Sequence, residues 1–146
     1  MKTIEINVYE YNELSEKAQI RALIDYQADK EYSLSYPSIR SLEAFMDAVG
    51  VRMISYDIDW LMPNLCKVIY KGTPNNNDIE MHFTNSFTDE VISDNWNDCK
   101  SIERTLKFFF EDASLGYEYE LSEEYFVNYC CDNKILFYES GKQLTK

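Results

Sequence analysis

The residues best equipped for chemistry in this 146-residue chain are few and scattered. In the stretch ISYDIDW, Asp57 and Asp59 lie two apart, so on a strand both carboxylates would share one face, the beginning of a divalent-cation site. No further ligand set stands beside them, so the pair reads as the polar face of a strand and no metal is expected. His82 is the single histidine and the one side chain with an unperturbed pKa near neutrality. Spacing places no serine or cysteine beside it as a nucleophile. With only four glycines, a phosphate-cradling glycine loop is absent. Among Cys66, Cys99, Cys130 and Cys131 there is no C-x-x-C pair, and vicinal Cys130 and Cys131 are poorly placed to bridge each other. All four read as reduced thiols, the last two packed as small apolar groups. No catalytic residue and no cofactor is expected, and a small enzyme using His82 is the weaker alternative.

Charge is more informative. Fourteen Lys and Arg against 26 Asp and Glu give a net charge of −12. Through Tyr70 there are seven basic and eleven acidic residues; from Lys71 onward there are seven and fifteen. Between Lys71 and Lys100 stand Asp78, Glu80, Asp89, Glu90, Asp94 and Asp98 without a base. Between Lys107 and Lys134 stand Glu111, Asp112, Glu118, Glu120, Glu123, Glu124 and Asp132, again without one. Such a surface repels nucleic acid and anionic membrane and attracts basic protein surfaces. Tyr117 and Tyr119 are interleaved with these acids, and tyrosine supplies large contact area at low entropic cost. The candidate partner-binding set is therefore Glu111, Asp112, Tyr117, Glu118, Tyr119, Glu120, Glu123 and Glu124. Its bland counterpart is a solvated face that keeps the protein soluble.

These residues must be held by a folded scaffold. Hydrophobic residues at 45% and aromatic residues at 15% exclude a disordered chain, and the length suits one domain over residues 1–146. No apolar run approaches the roughly 18 residues of a membrane span, and the charged start lacks a signal-peptide core, so a cytoplasmic protein is expected. The fold class expected is α+β, a mainly antiparallel sheet with helices packed on it. TIEINVYEY alternates Ile4, Ile6 and Val8 with polar residues, the pattern of a half-buried strand. Pro37 suits the first turn of a helix that buries Ile39, Leu42, Phe45 or Met46, and Val49, and that Gly50 stops. ISYDIDW, with Ile54, Tyr56, Ile58 and Trp60 on one face, and LCKVIY suggest an antiparallel hairpin around Pro63 and Asn64. GTPNNND reads as a loop and IEMHF as a further strand. Helices are expected around Asp89 to Trp96 and Lys100 to Ala113, the latter burying Ile102, Leu106, Phe109 and Ala113. KILFYESGKQL closes as strand, turn and short return.

YEYNELSEK at Tyr9 and YEYELSEE at Tyr117 read almost alike. Both are explained as an extended piece, a serine N-cap and a helix start: Ser15 followed by Glu16, and Ser122 followed by Glu123 and Glu124. Leu14 and Leu121 precede the caps, where a staple contact is common. The first helix, about Glu16 to Lys30, would bury Ala18, Ala22 and Tyr26 with Leu23 or Ile24 beside them. Gly116 would end the helix before the second copy, and the following helix would bury Phe126, Tyr129 and Cys130.

The run YEYNELSEKAQIRALIDYQ, with Leu14, Ser15, Ala18, Ala22 and Tyr26, resembles the opening of a diffuse set of small bacteriophage proteins, some of them labelled antitoxin-like, and LFYESGKQL is similar to their ending. In that set a tryptophan-containing strand leads into a glycine-rich turn, whereas here Trp60 is followed by LMPNLC. The resemblance implies a phage or mobile-element accessory protein. Small acidic proteins of that origin inhibit host machinery, CRISPR nucleases included, by occupying basic nucleic-acid-binding surfaces. The partner it implies is a basic host protein, with no direct binding to nucleic acid or membrane. An antitoxin that neutralises a cognate toxin is the alternative.

Overall fold

A computed structural model describes residues 2–80 and 92–144. The fold is α+β, with helix the larger share of the described residues at 54% against 11% strand. The described chain forms two compact units, one from Met1–Lys30 together with Tyr119–Lys146, the other from Glu31–Glu118.

The first unit joins the two ends of the chain. After a 3₁₀ turn at Tyr11–Glu13, helix α1 runs over Glu16–Asp29 and buries Ala18 and Ala22. Ser15 caps it as expected, its Oγ accepting from Ala18 N at 3.2 Å. Leu23 is half-buried beside these alanines, while Ile24 stays 57% exposed. Helix α5, Glu123–Asp132, is capped in the same way, Ser122 Oγ accepting from Tyr125 N at 3.2 Å. It buries Phe126 and Cys130, while Tyr129 remains 42% exposed. The C-terminal segment returns on itself as expected, with Leu144 N donating to Leu136 O at 2.9 Å and Tyr138 N to Lys142 O at 2.8 Å.

Two expectations about the repeated motif are corrected. Residues 2–8 form no strand: Ile4 is 83% exposed, and only Tyr9 pairs, in a single antiparallel bridge to Phe137. Gly116 does not stop its helix either. Helix α4 runs over Ile102–Glu120, so Tyr117 and Tyr119 are helical rather than extended. A mid-helix glycine costs about 1 kcal/mol, which the burial of Phe109, Phe110 and Ala113 on the same helix outweighs.

The second unit holds the larger core. Helix α2, Ser35–Ala48, has Pro37 in its first turn and buries Leu42, Phe45 and Met46. The antiparallel hairpin pairs β1, Arg52–Asp57, with β2, Lys67–Lys71. A bulge between Met53 and Ser55 shifts the register there, so that Met53 before it and Tyr56 after it stand opposite Tyr70 and Val68; Ile58 and Trp60 pack on the core as expected. Met53, Val68 and Tyr70 pack inward, whereas Ile54 and Tyr56 are exposed by 45% and 47%. Helix α3, Ile92–Cys99, contributes Trp96, whose indole N–H donates to Asn77 O at 2.9 Å, so the ring is buried without an unsatisfied donor. Asn97 clamps Ile79 with two hydrogen bonds, Nδ2 to Ile79 O at 2.9 Å and Ile79 N to Oδ1 at 3.0 Å. Ile79 and Glu80 are therefore not in a strand; the rest of IEMHF, with His82, and the start of the helix expected from Asp89 lie outside the described residues.

Helices α2 and α5 stop by the same hydrogen-bond pattern with different residues. After α2, Val51 N donates to Met46 O at 3.0 Å and Gly50 N to Asp47 O at 3.0 Å, with Gly50 at φ 81°. After α5, Ile135 N donates to Cys130 O at 2.9 Å and Lys134 N to Cys131 O at 3.4 Å, with Lys134 at φ 52°. Only glycine adopts this left-handed conformation freely. Lys134→Gly is expected to stabilise the protein by about 0.5–1 kcal/mol in denaturant titration. Gly141 is the opposite case: a Cβ there would lie 2.2 Å from Ala18 O, with φ already at 91°. Gly141→Ala should cost about 3 kcal/mol or more, read as a lower thermal midpoint.

Candidate protein-binding surface

The eight residues singled out by charge and type do not form one exposed run. Along α4 the solvent-facing stripe is Arg104, Lys107, Glu111, Leu115 and Glu118, at helical spacing. Asp112 falls on the opposite side with Thr105, Phe109 and Ala113 and is only 3% exposed, so it does not belong to the surface. The period that turns Phe109 inward turns Asp112 inward three residues later. Tyr117 is half-buried, its ring stacked on Tyr32 at 5.3 Å. Glu111 and Glu118 remain exposed, and neither is in an ion pair among the described residues.

The remaining four belong to the other unit. Glu120 is 6% exposed, and its carboxylate meets Lys30 Nζ at 3.2 Å. Lys30 also lies 5.8 Å from the centre of the Tyr125 ring. Glu120 is thus a structural ion-pair partner with no carboxylate to offer to solvent. Tyr119 keeps 38% of its surface exposed and meets Tyr125 edge-on at 5.5 Å. Glu123 and Glu124 are exposed in the first turn of α5, where carboxylates favour the helix dipole. Glu123 Oε2 accepts from the Tyr11 hydroxyl at 3.0 Å. Burial, and then this carboxylate, push Tyr11 up to about 12.

A groove that sequence reasoning missed lies in this same unit. It has a volume of about 630 Å³, and its walls include Asp25, Tyr26 and Asp29 from α1 and Tyr125 and Tyr129 from α5, together with Lys30 and Lys142. The Tyr26 ring stacks on Phe126 at 4.4 Å, and its hydroxyl donates to Glu120 O at 2.6 Å, so one wall is rigid. Asp25 makes a 3.6 Å ion pair with Arg21 in which both side chains are more than half exposed, a contact worth little in water. Asp29 is exposed at the end of α1. Aromatic faces beside carboxylates suit a guanidinium or ammonium group; Lys30 already lies beside the Tyr125 face, which leaves Tyr26 and Tyr129 with Asp25 and Asp29 for an external cation. The partial signal was helical phase: Tyr26 shares a face with Ala22, and Tyr125 with Tyr129.

The other chemical candidates resolve into structural roles. Asp57 sits in β1 opposite Lys67, while Asp59 lies beyond the strand and accepts from Leu61 N at 3.0 Å. Among the described residues no cluster of three or more His, Cys, Asp or Glu side chains could hold a metal ion. The four cysteines are free thiols, and burial, followed by the adjacent Cys131, pushes Cys130 up to about 12. Of the acids before Lys100, Asp78 pairs with Lys100, and Asp94 and Asp98 line a polar depression of about 320 Å³ on α3. No helix among the described residues is long and apolar enough to cross a membrane. No family model matches the chain, and no curated protein or solved structure matches it.

Two predictions follow from the geometry around α1 and α5. Lys30→Met leaves the Glu120 carboxylate buried without its cation and is expected to cost about 3 kcal/mol of stability, whereas Arg21→Met, at an exposed pair, should change it by less than about 0.5 kcal/mol. Tyr11 and Cys130 keep their protons more tightly in the fold than in the unfolded chain, where ordinary values are 10.0 and 9.0. The stability this contributes is complete below those values and is lost as pH rises toward about 12. The denaturation midpoint should therefore decline above about pH 9, and Glu123→Gln should bring the Tyr11 titration, followed by phenolate absorbance, part of the way back.

Proposed function

We propose that the protein is a small acidic inhibitor that works by protein–protein binding, occupying the basic nucleic-acid-binding surface of a host defence effector such as a CRISPR nuclease. The observation that carries this reading is the groove in the unit built from the chain ends, where Asp25 and Asp29 stand beside Tyr26 and Tyr129, with Lys30 beside the Tyr125 ring and Lys142 also in the lining. An arginine or lysine that otherwise holds a phosphate would enter it, meeting a carboxylate at one wall and a ring face at the other. Glu123 and Glu124, exposed on α5, add negative charge to the same unit. On α4, Glu111 and Glu118 extend the negative field that steers a basic partner at low salt. Competition with nucleic acid follows, because a cation engaged by these carboxylates cannot also hold phosphate.

The test is capture of the partner from host lysate on the immobilised protein, followed by quantitative binding with the recovered protein. The expected result is one basic nucleic-acid-handling protein, released as salt rises, with nucleic acid competing for it. Asp25→Lys with Asp29→Lys should weaken binding at least about tenfold, roughly 1.4 kcal/mol, while Glu111→Lys with Glu118→Lys should mainly slow association. Recovery of a toxin encoded beside this chain would instead favour the antitoxin reading. Binding unchanged by both double reversals would remove these surfaces from the mechanism.

A further inference from the structure

Residues 2–8 carry the apolar alternation of a strand without a partner among the described residues. Ile4, Ile6 and Val8 are exposed by 83%, 58% and 41%. The reason lies in the register at Tyr9. Its N–H donates to Phe137 O at 2.9 Å and its carbonyl accepts from Phe137 N at 2.8 Å, an antiparallel bridge. Continued toward the N-terminus, that register sets Val8 and its predecessors against residues from Tyr138 onward. There the chain turns back, Gly141 N donating to Tyr138 O at 2.9 Å and Tyr138 N to Lys142 O at 2.8 Å. The hairpin ends where the N-terminal segment would need a neighbour, so the unit supplies no strand for it.

We propose that residues 4–8 pair antiparallel with the same residues of a second copy of the chain, about a two-fold axis through Ile6. Successive residues of a strand turn their N–H and C=O groups to opposite edges. Tyr9 uses the edge facing the hairpin, so Val8, Ile6 and Ile4 present theirs to the other edge, clear of it. In this register Ile6 pairs with its symmetry mate, Ile4 stands opposite Val8, and all three apolar residues share one face. The charges agree: Lys2 stands opposite Glu10, and Glu5 opposite Asn7. Centring on Glu5 instead would face Glu5 with Glu5, and centring on Asn7 would put Ile4 opposite Glu10 and leave Lys2 without an acid. The contact is isologous, so it closes at two copies. A short strand pair covers well under the roughly 1,600 Å² of a standard interface, so the dimer is weak and concentration-dependent.

Sedimentation velocity of the whole protein from about 10 to about 500 μM tests this, since weak dimers populate in that range. The wild type is expected to shift from monomer toward dimer. Ile6→Lys should remain monomeric throughout with unchanged circular dichroism, because Ile6 lies outside both cores. Lys2→Glu should weaken the dimer, and Lys2→Glu with Glu10→Lys should restore it, an outcome that depends on register. A wild type that stays monomeric at the highest concentration would overturn the proposal. So would a dimer that Ile6→Lys leaves intact, or a double charge swap no better than Lys2→Glu alone.

Discussion

The Tyr26 ring lies on Phe126 at 4.4 Å, and its hydroxyl reaches Glu120 O at 2.6 Å. That contact ties α1 to the start of α5 across nearly a hundred residues of chain, and the unit made from the two ends depends on it. Around Phe126 the aromatic set is closed by Tyr11 at 5.2 Å and Phe137 at 6.3 Å, both in edge-on geometry. Each such pair contributes about 0.5–1.5 kcal/mol beyond the area it buries, and together they offset the entropy of bringing distant segments together. Gln27, donating to Leu121 O at 2.7 Å, and Lys30, paired with Glu120, complete the seam. Close packing here leaves no room for a side chain at Gly141, so the C-terminal hairpin rests directly on the α1 backbone.

The groove proposed to receive a basic side chain is a by-product of that seam. Because Tyr26 is held by both stacking and a hydrogen bond, the ring presents a fixed face, and a preformed aromatic wall spares a bound cation the cost of ordering it. Asp25 and Asp29 flank Tyr26 on the exposed side of α1. Charge that composition alone could assign only to the whole chain thus becomes local. Some acids are consumed internally, Glu120 by Lys30 and Asp78 by Lys100. Others, such as Glu111, Glu118 and Glu124, remain on the surface and supply the field rather than the contact.

Local grammar was legible from the residues themselves. Both serine caps, the helix stop at Gly50, the hairpin of β1 and β2 and the returning C-terminus follow from short-range chemistry. What was not legible depends on distant partners. The alternation of Ile4, Ile6 and Val8 looks like a strand, but strand formation needs a neighbour, and the hairpin at Tyr138 ends before supplying one. Gly116 looks like a stop, but Phe109, Phe110 and Ala113 in the preceding turns are buried and the helix continues to Glu120. At β1 a bulge takes Ile54 off the core face and brings Met53 onto it, an event that leaves no mark in a period-two pattern, while Ile58 and Trp60 pack inward as expected. Asp112 follows Phe109 inward by helical phase, a signal that its charge masks. The groove was hidden because Asp25 and Asp29 are about a hundred residues from Tyr125 and Tyr129.

The central claim is that cation recognition is concentrated where tyrosine faces and carboxylates converge in the unit built from the chain ends. It is tested most directly by heteronuclear NMR titration of the labelled protein with a short arginine-rich peptide at low and then moderate salt. The account predicts shifts concentrated at Asp25, Tyr26, Asp29, Tyr125 and Tyr129, saturating and then reversing as salt is raised. Shifts spread evenly over all exposed acids, Glu111, Glu118, Asp94 and Asp98 included, or none near the groove, would contradict it.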